Sequence, residues 1–198
     1  VILTPDLAKE YDALWDSAVI LQDKRPDVKL AASRALLRKD IYERAAAPFK
    51  MPWEVVAAIH NLESSQRFDK HLHNGDPLAA RTRRVPAGRP KEGEPPFTWE
   101  DSARDALSMK GPEAIAKWDV PHALWFLERY NGWGYRTRAT KPGVPKVLSP
   151  YLWSFTDKYR AGKYVADGRF SSTAVSAQVG AVALLKALGW EGRCDHGG

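Results

Sequence analysis

The chain has 198 residues, enough for one domain that buries its own core without disulfides or structural metals. Its 30 Lys and Arg against 24 Asp and Glu give a net charge of +6, which favours polyanionic partners but names none. The single cysteine, Cys194, excludes an intrachain disulfide and a cysteine zinc site, and no apolar run reaches the ~18 residues a membrane span needs.

Thr4-Pro5 reads as a helix cap followed by proline at the first helical position. Leu7, Tyr11, Leu14, Trp15, Ala18 and Leu21 then fall on one helical face. An Ala- and Leu-rich stretch predicts a second helix over roughly 26–47. Pro52 opens a third, with Val55, Val56, Ile59 and Leu62 as its apolar stripe and Glu63 near its end. From 67 to 97 the chain carries Asn74-Gly75, Asp76-Pro77, Pro86, Gly88, Pro90, Gly93 and Pro95-Pro96, which helix cannot survive. A long loop or a short irregular hairpin is expected there, and a loop of that length in a compact domain is usually functional. Thr98 with Asp101 forms a capping arrangement before a helix to about Met109. Pro121 begins another that ends at Tyr130-Asn131-Gly132, and Ser149-Pro150 starts a helix predicted to close near Gly162. Ser172 is read as the cap of a last helix over about 173–188, with Gly189 past its end. The expected fold is mostly α (α+β), a single domain over 1–198, with N-terminal helices in 1–48 and the core in 49–190. No signal-peptide pattern stands at Val1, and the route of export stays open.

Glu63 follows an apolar helical stripe and precedes Ser64 and Ser65. A carboxyl there is either a surface group at a helix end or a partly desolvated acid. Desolvation raises a carboxyl pKa, as a general acid working near neutrality requires. Glu63-Ser64-Ser65, closing a helix that begins Met51-Pro52-Trp53, resembles the catalytic Glu-Ser motif of goose-type lysozymes and lytic transglycosylases. Downstream, Glu128-Arg129-Tyr130-Asn131-Gly132-Trp133-Gly134-Tyr135 resembles the Tyr-Asn-Ala-Gly motif of that superfamily, with Gly132 in place of the usual Ala. His71-Leu72-His73-Asn74-Gly75-Asp76-Pro77-Leu78 and Val85-Pro86-Ala87-Gly88-Arg89-Pro90 are similar to stretches of phage and bacterial lysozyme-family proteins. The resemblance spans about 53–188. It departs in lacking Gly-Leu-Met-Gln after the Glu, where the 67–97 insertion stands instead.

The resemblance implies a lysozyme-like helical domain that cleaves the β-1,4 bond between N-acetylmuramic acid and N-acetylglucosamine, with Glu63 as the acid. Hydrolysis ordinarily uses a second carboxylate. Asp76 stands at the offset from Glu63 where goose-type lysozymes place an important Asp, and Thr82 follows it at the Asp-to-Thr spacing of a class of phage lysozymes. The pair is expected to hold a water opposite Glu63, whereas the ordinary reading of Asp76-Pro77 is a turn; Asp69 is the fallback. Tyr130 is expected to approach Glu63 and line the sugar cleft, with Ser64, Asn131, Trp133 and Tyr135 as further substrate-binding residues. A helix C-cap at Asn131-Gly132 is equally compatible with the sequence. His71 and His73 lack a third ligand at a recognisable spacing, so neither metal nor cofactor is expected. The basic cluster Arg81, Arg83, Arg84, Arg89 and Lys91 is either a solvated loop or a steering patch toward an anionic wall.

The expected partner is peptidoglycan, with no nucleic acid and no stable membrane insertion, and the expected state is a monomer acting on the cell wall as a phage or prophage lysis protein. Beside the muramidase stand a chitinase or chitosanase on a related fold and two further alternatives. A lytic transglycosylase uses the same Glu63 and no second carboxylate; a noncatalytic wall-binding module has the cleft but does not need Glu63.

Overall fold

The structure is a computed structural model that describes residues 1–166 and 168–192; Cys194 lies outside the described residues. Helix α1 (Pro5–Ser17) starts where Thr4 Oγ1 accepts the Leu7 N–H at 3.2 Å. The predicted 26–47 helix is two helices, α2 (Arg25–Leu36) and α3 (Lys39–Ala46). They break at Leu37 and Arg38, where the N–H groups bond back four and three residues, because the halves serve different partners: α2 packs on a C-terminal helix, α3 on the two helices that follow it.

Helix α4 (Trp53–Ser64) is the centre of the molecule. Seven of its twelve residues are buried, including the small Ala57 and Ala58 that let neighbours approach closely. A helix apolar on all sides belongs inside a core. It ends in two consecutive left-handed residues, Ser65 (φ 54) and Gln66 (φ 59), whose N–H groups bond to Asn61 O and His60 O. The Gln66 amide anchors that end to Ala31 O at 3.0 Å. Within α4, His60 is buried among Tyr42, Phe68 and Trp99. Its Nε2 faces the Arg67 carbonyl, which can only accept, so Nε2 carries the proton and Nδ1 accepts from the Tyr42 hydroxyl at 2.9 Å.

Residues 67–97 form the predicted loop, with one isolated bridge between Lys70 and Pro77. Helix α5 (Trp99–Ser108) holds it from behind: Ser102 bonds His71 at 2.8 Å, and Asp105 takes His73 at 2.7 Å and Arg89 at 2.9 Å. Helix α6 (Val120–Asn131) packs on α1 and α4, and α7 (Gly134–Ala139) follows it after Gly132 (φ 95).

Two expectations fail here. The helix predicted from Ser149 to Gly162 is a single turn, α8 (Pro150–Trp153). Its extension is blocked at Ser154, against whose backbone Gly180 packs so closely that a Cβ at 180 would lie 2.6 Å from Ser154 O. The chain instead turns through Phe155 (φ 68) and runs into a two-stranded antiparallel hairpin, β1 (Lys163–Ala166) and β2 (Arg169–Ser171). The last helix, predicted from 173, begins eight residues later as α9 (Ala181–Ala187). The segment before it lies against the end of α4, where Asn61 Nδ2 donates to Val179 O at 3.0 Å and Gln178 Nε2 to Leu62 O at 2.9 Å. Helix α9 is buried from Ala181 to Leu185 between α2, α4 and α8. Among the described residues no helix is long and apolar enough to cross a membrane.

Candidate active site

Glu63 sits in the last turn of α4, one residue before its end. Three physical effects compete at its carboxyl. Burial disfavours the charge and is the largest; a hydrogen bond from the Tyr151 hydroxyl to Oε1 at 3.1 Å and the positive charge of Lys110 favour it. Burial wins and pushes the carboxyl up to about 7. The negative end of the α4 dipole acts in the same direction as burial. Glu63 is thus a carboxylic acid that keeps its proton to near-neutral pH.

Its surroundings come from separate elements. Tyr151 is on α8 and Tyr130 on α6; burial holds both phenols well above their usual range, so both stay neutral donors. The Lys110 ammonium lies 5.0 Å over the Tyr130 ring and donates to the Tyr130 carbonyl at 3.2 Å. Burial lowers the Lys110 pKa, while Glu63 raises it.

Tyr151 also lines an open cavity of about 370 Å³, so the Glu63 carboxyl stands one hydrogen bond from its wall. The turn from α6 to α7 contributes Asn131 and Tyr135, the hairpin contributes Lys163 and Tyr164, and the segment before α9 contributes Ser176 and Gln178. That size suits a small ligand or a sugar ring. Larger hollows of about 570 Å³ beside Trp118 and 730 Å³ between α5 and the 89–98 loop lie elsewhere. Volume does not decide between them; the smaller cavity is the one that adjoins Glu63.

The predicted residues divide. Tyr130, Asn131 and Tyr135 gather with Glu63 or at the cavity. Trp133 is not among the cavity's lining residues; its ring packs on Trp125 at 6.1 Å between centroids. Ser64 bonds back to His60 O at 3.4 Å, as a serine at a helix end does. Asp76 is a loop-binding residue. Its Oδ2 accepts the Arg83 and Arg84 N–H groups at 2.8 and 3.0 Å and its Oδ1 the Arg84 guanidinium at 2.7 Å, which hold the carboxyl well below its usual range. A Cβ at Gly75 would lie 3.6 Å from the Glu63 carbonyl oxygen, so the loop backbone comes near the end of α4 while the Asp76 carboxylate is bound within the loop. Thr82 likewise bonds into the loop. Its buried hydroxyl donates to Pro86 O and accepts from Arg89 N–H at 2.9 Å, leaving no hydrogen to offer a water. Asp69 is exposed and pairs with Arg67.

Three of the five basic-loop residues are likewise engaged. Arg81 donates to Pro90 and Gly93 carbonyls, Arg84 pairs with Asp76 and Arg89 with Asp105. His71 and His73 serve the loop, and among the described residues no group of three or more His, Cys, Asp and Glu is arranged to hold a metal. Tyr151, Lys110, Lys163, Tyr164, Ser176 and Gln178 were not predicted; no local pattern marks them, since only tertiary packing brings the first two to Glu63 and the others to the cavity. No family model, curated protein or solved structure matches the chain.

Proposed function

We propose that the chain cleaves the β-1,4 glycosidic bond between N-acetylmuramic acid and N-acetylglucosamine in peptidoglycan, with Glu63 as the general acid. One observation carries this reading: a half-buried carboxyl pushed up to about 7, one hydrogen bond from Tyr151 in the wall of an open cavity that tyrosines and amides line. A sugar ring seated there offers apolar faces to Tyr135 and Tyr164 and hydroxyls to Asn131 and Gln178. Glu63 gives its proton to the leaving oxygen, and Tyr151 and Lys110 then face the carboxylate that forms.

The bond is open to two second steps. In hydrolysis, water adds to the oxocarbenium-like carbon and restores a reducing end. In the transglycosylase reading, the ionised Glu63 takes the proton of the muramoyl 6-hydroxyl, whose oxygen closes on C1 and leaves an anhydro end. The engagement of Asp76 by Arg84 and two backbone N–H groups favours the second, because that route needs no other carboxylate.

Digestion of purified peptidoglycan by the wild type and Glu63→Gln, read by mass spectrometry, tests both. Gln keeps the shape and loses the acidic proton, so cleavage is expected to fall by at least about a hundredfold. Reducing-end products assign a muramidase; products lighter by one water assign a transglycosylase. Equal cleavage by both proteins removes Glu63 from the reaction, and no cleavage by either rejects the proposed substrate in favour of a binding module.

A further inference from the structure

The cavity beside Glu63 is lined by neutral groups with one exception, Lys163 on β1. The lysine is half-buried, and among the described residues no carboxylate pairs with it, although most cations near the site are engaged: Lys110 with Tyr130 and Arg136 with Glu128. Its position is built rather than incidental. The next residue, Tyr164, donates its N–H to the Tyr135 hydroxyl at 3.2 Å and its own hydroxyl to Gly134 O at 3.3 Å. The Tyr135, Tyr164 and Phe170 rings meet edge to face, and the Arg138 guanidinium lies 3.8 Å from the Phe170 centroid. The Tyr164 ring also lies close against Gly134, where a Cβ would stand 3.4 Å from it, in van der Waals contact. The hairpin is therefore clamped to α7, and the clamp fixes the backbone that carries Lys163 at the cavity.

A neutral polar cavity with one unpaired ammonium at its edge suits a ligand that is mostly uncharged and carries one anionic group. A chitin-like strand has no such group. A muramoyl residue has one on its 3-O substituent, either the lactyl carboxylate of a peptide-free strand or a carboxylate of the attached stem peptide. We infer that Lys163 receives this carboxylate and makes the site selective for muramoyl glycans over neutral β-1,4 glycans. The inference rests on the proposed cleavage of peptidoglycan and names the feature of the substrate that is read. Lysine is suited to it as a mobile point charge, which tolerates either carboxylate source.

The test uses wild type, Lys163→Gln and Lys163→Arg on three soluble substrates: peptide-bearing peptidoglycan fragments, peptide-free strands and chitooligosaccharides. Lys163→Gln is expected to raise KM about threefold to tenfold on a carboxylate-bearing substrate, the scale of one partly solvated charge-assisted bond, with kcat within about twofold. Lys163→Arg should recover most of the loss, and the neutral oligosaccharide should be unaffected. A loss confined to peptide-free strands identifies the lactyl carboxylate; one confined to peptide-bearing fragments identifies the stem peptide. An unchanged KM on both, or an equal loss on the chitooligosaccharide, overturns the inference. If the wild type cleaves none of the three, the catalytic reading fails, and calorimetric binding of the same ligands decides separately. Weaker binding of the anionic glycans by Lys163→Gln then upholds the carboxylate site, and equal binding by both proteins overturns it.

Discussion

At Glu63 the same burial that prepares an acid also weakens the fold. A carboxyl at about 7 in the native chain and at its ordinary value of 4.5 when unfolded binds more proton in the native state between those limits. Stability from this group is therefore full below about pH 4.5 and declines until the native carboxyl has ionised, just above pH 7. Roughly 1.4 kcal/mol per unit sets a ceiling near 3 kcal/mol, and the partial access of Glu63 to solvent reduces it to about 2 kcal/mol. Glu63→Gln should thus be more stable than wild type in urea unfolding at about pH 8.5 and nearly equal to it at about pH 4. A gap that is the same at both pH values would mean that the native carboxyl is not raised. Tyr151 acts in the opposite direction, since its hydroxyl stabilises the carboxylate. In Tyr151→Phe the acid should hold its proton longer, and the alkaline limb of the pH–rate profile should move up by about half a unit to one unit. A limb that stays in place or moves down would show that the Tyr151 bond does not act on the reacting carboxyl.

The 67–97 loop is the element that sequence spacing describes least well. Asp76 and Thr82 have the spacing of a water-holding pair, yet their bonds run into the loop's own backbone. The turn-forming habit of Asp and Thr is a local property, and it prevailed over the spacing. Asp76→Asn keeps an acceptor but turns an amide toward one of three donors, so it should lose about 1–3 kcal/mol of stability while kcat at low temperature stays within about tenfold. A thousandfold fall in kcat at unchanged Tm would restore Asp76 as the water-holding carboxylate. Elements governed by local rules were readable in advance: Thr4 and Thr98 cap as their sequences indicate, and the apolar stripe of α4 places Glu63 at its end. The short α8 and late α9 were not, because both follow from Gly180 meeting the Ser154 backbone, a contact invisible in either segment alone. The hairpin had a faint signal in Asp167-Gly168 between two aromatic-bearing runs, although Asp167 itself lies outside the described residues. Among site residues, Glu63, Tyr130, Asn131 and Tyr135 came from motifs. Tyr151 and Lys163 depend on packing that joins distant parts of the chain.

On the scale of the whole molecule, the site depends on how α1 is tied to α6 and α7. The buried Glu128 carboxylate of α6 accepts from the Tyr11 hydroxyl of α1 and from Arg136 of α7 at 2.8 Å. Arg136 also reaches Glu10, which Lys146 shares. The two helices gathered by this network carry Tyr130, Asn131 and Tyr135, so α1 braces them while contributing no residue to the cavity's lining. A buried ion pair contributes little compared with a well-packed apolar pair, but removing one partner strands the other charge. Arg136→Met is therefore expected to cost about 3–5 kcal/mol, because Glu128 keeps only the Tyr11 hydroxyl. Glu128→Leu in the same chain removes the stranded charge and should recover a substantial part of that loss. Chemical unfolding of the two single variants and the double variant closes the cycle. A double variant whose loss equals the sum of the singles would show that the two groups do not interact. A coupling of about 2 kcal/mol or more, with cleavage returning alongside stability, would show that the brace acts on the cavity through the position of α6 and α7.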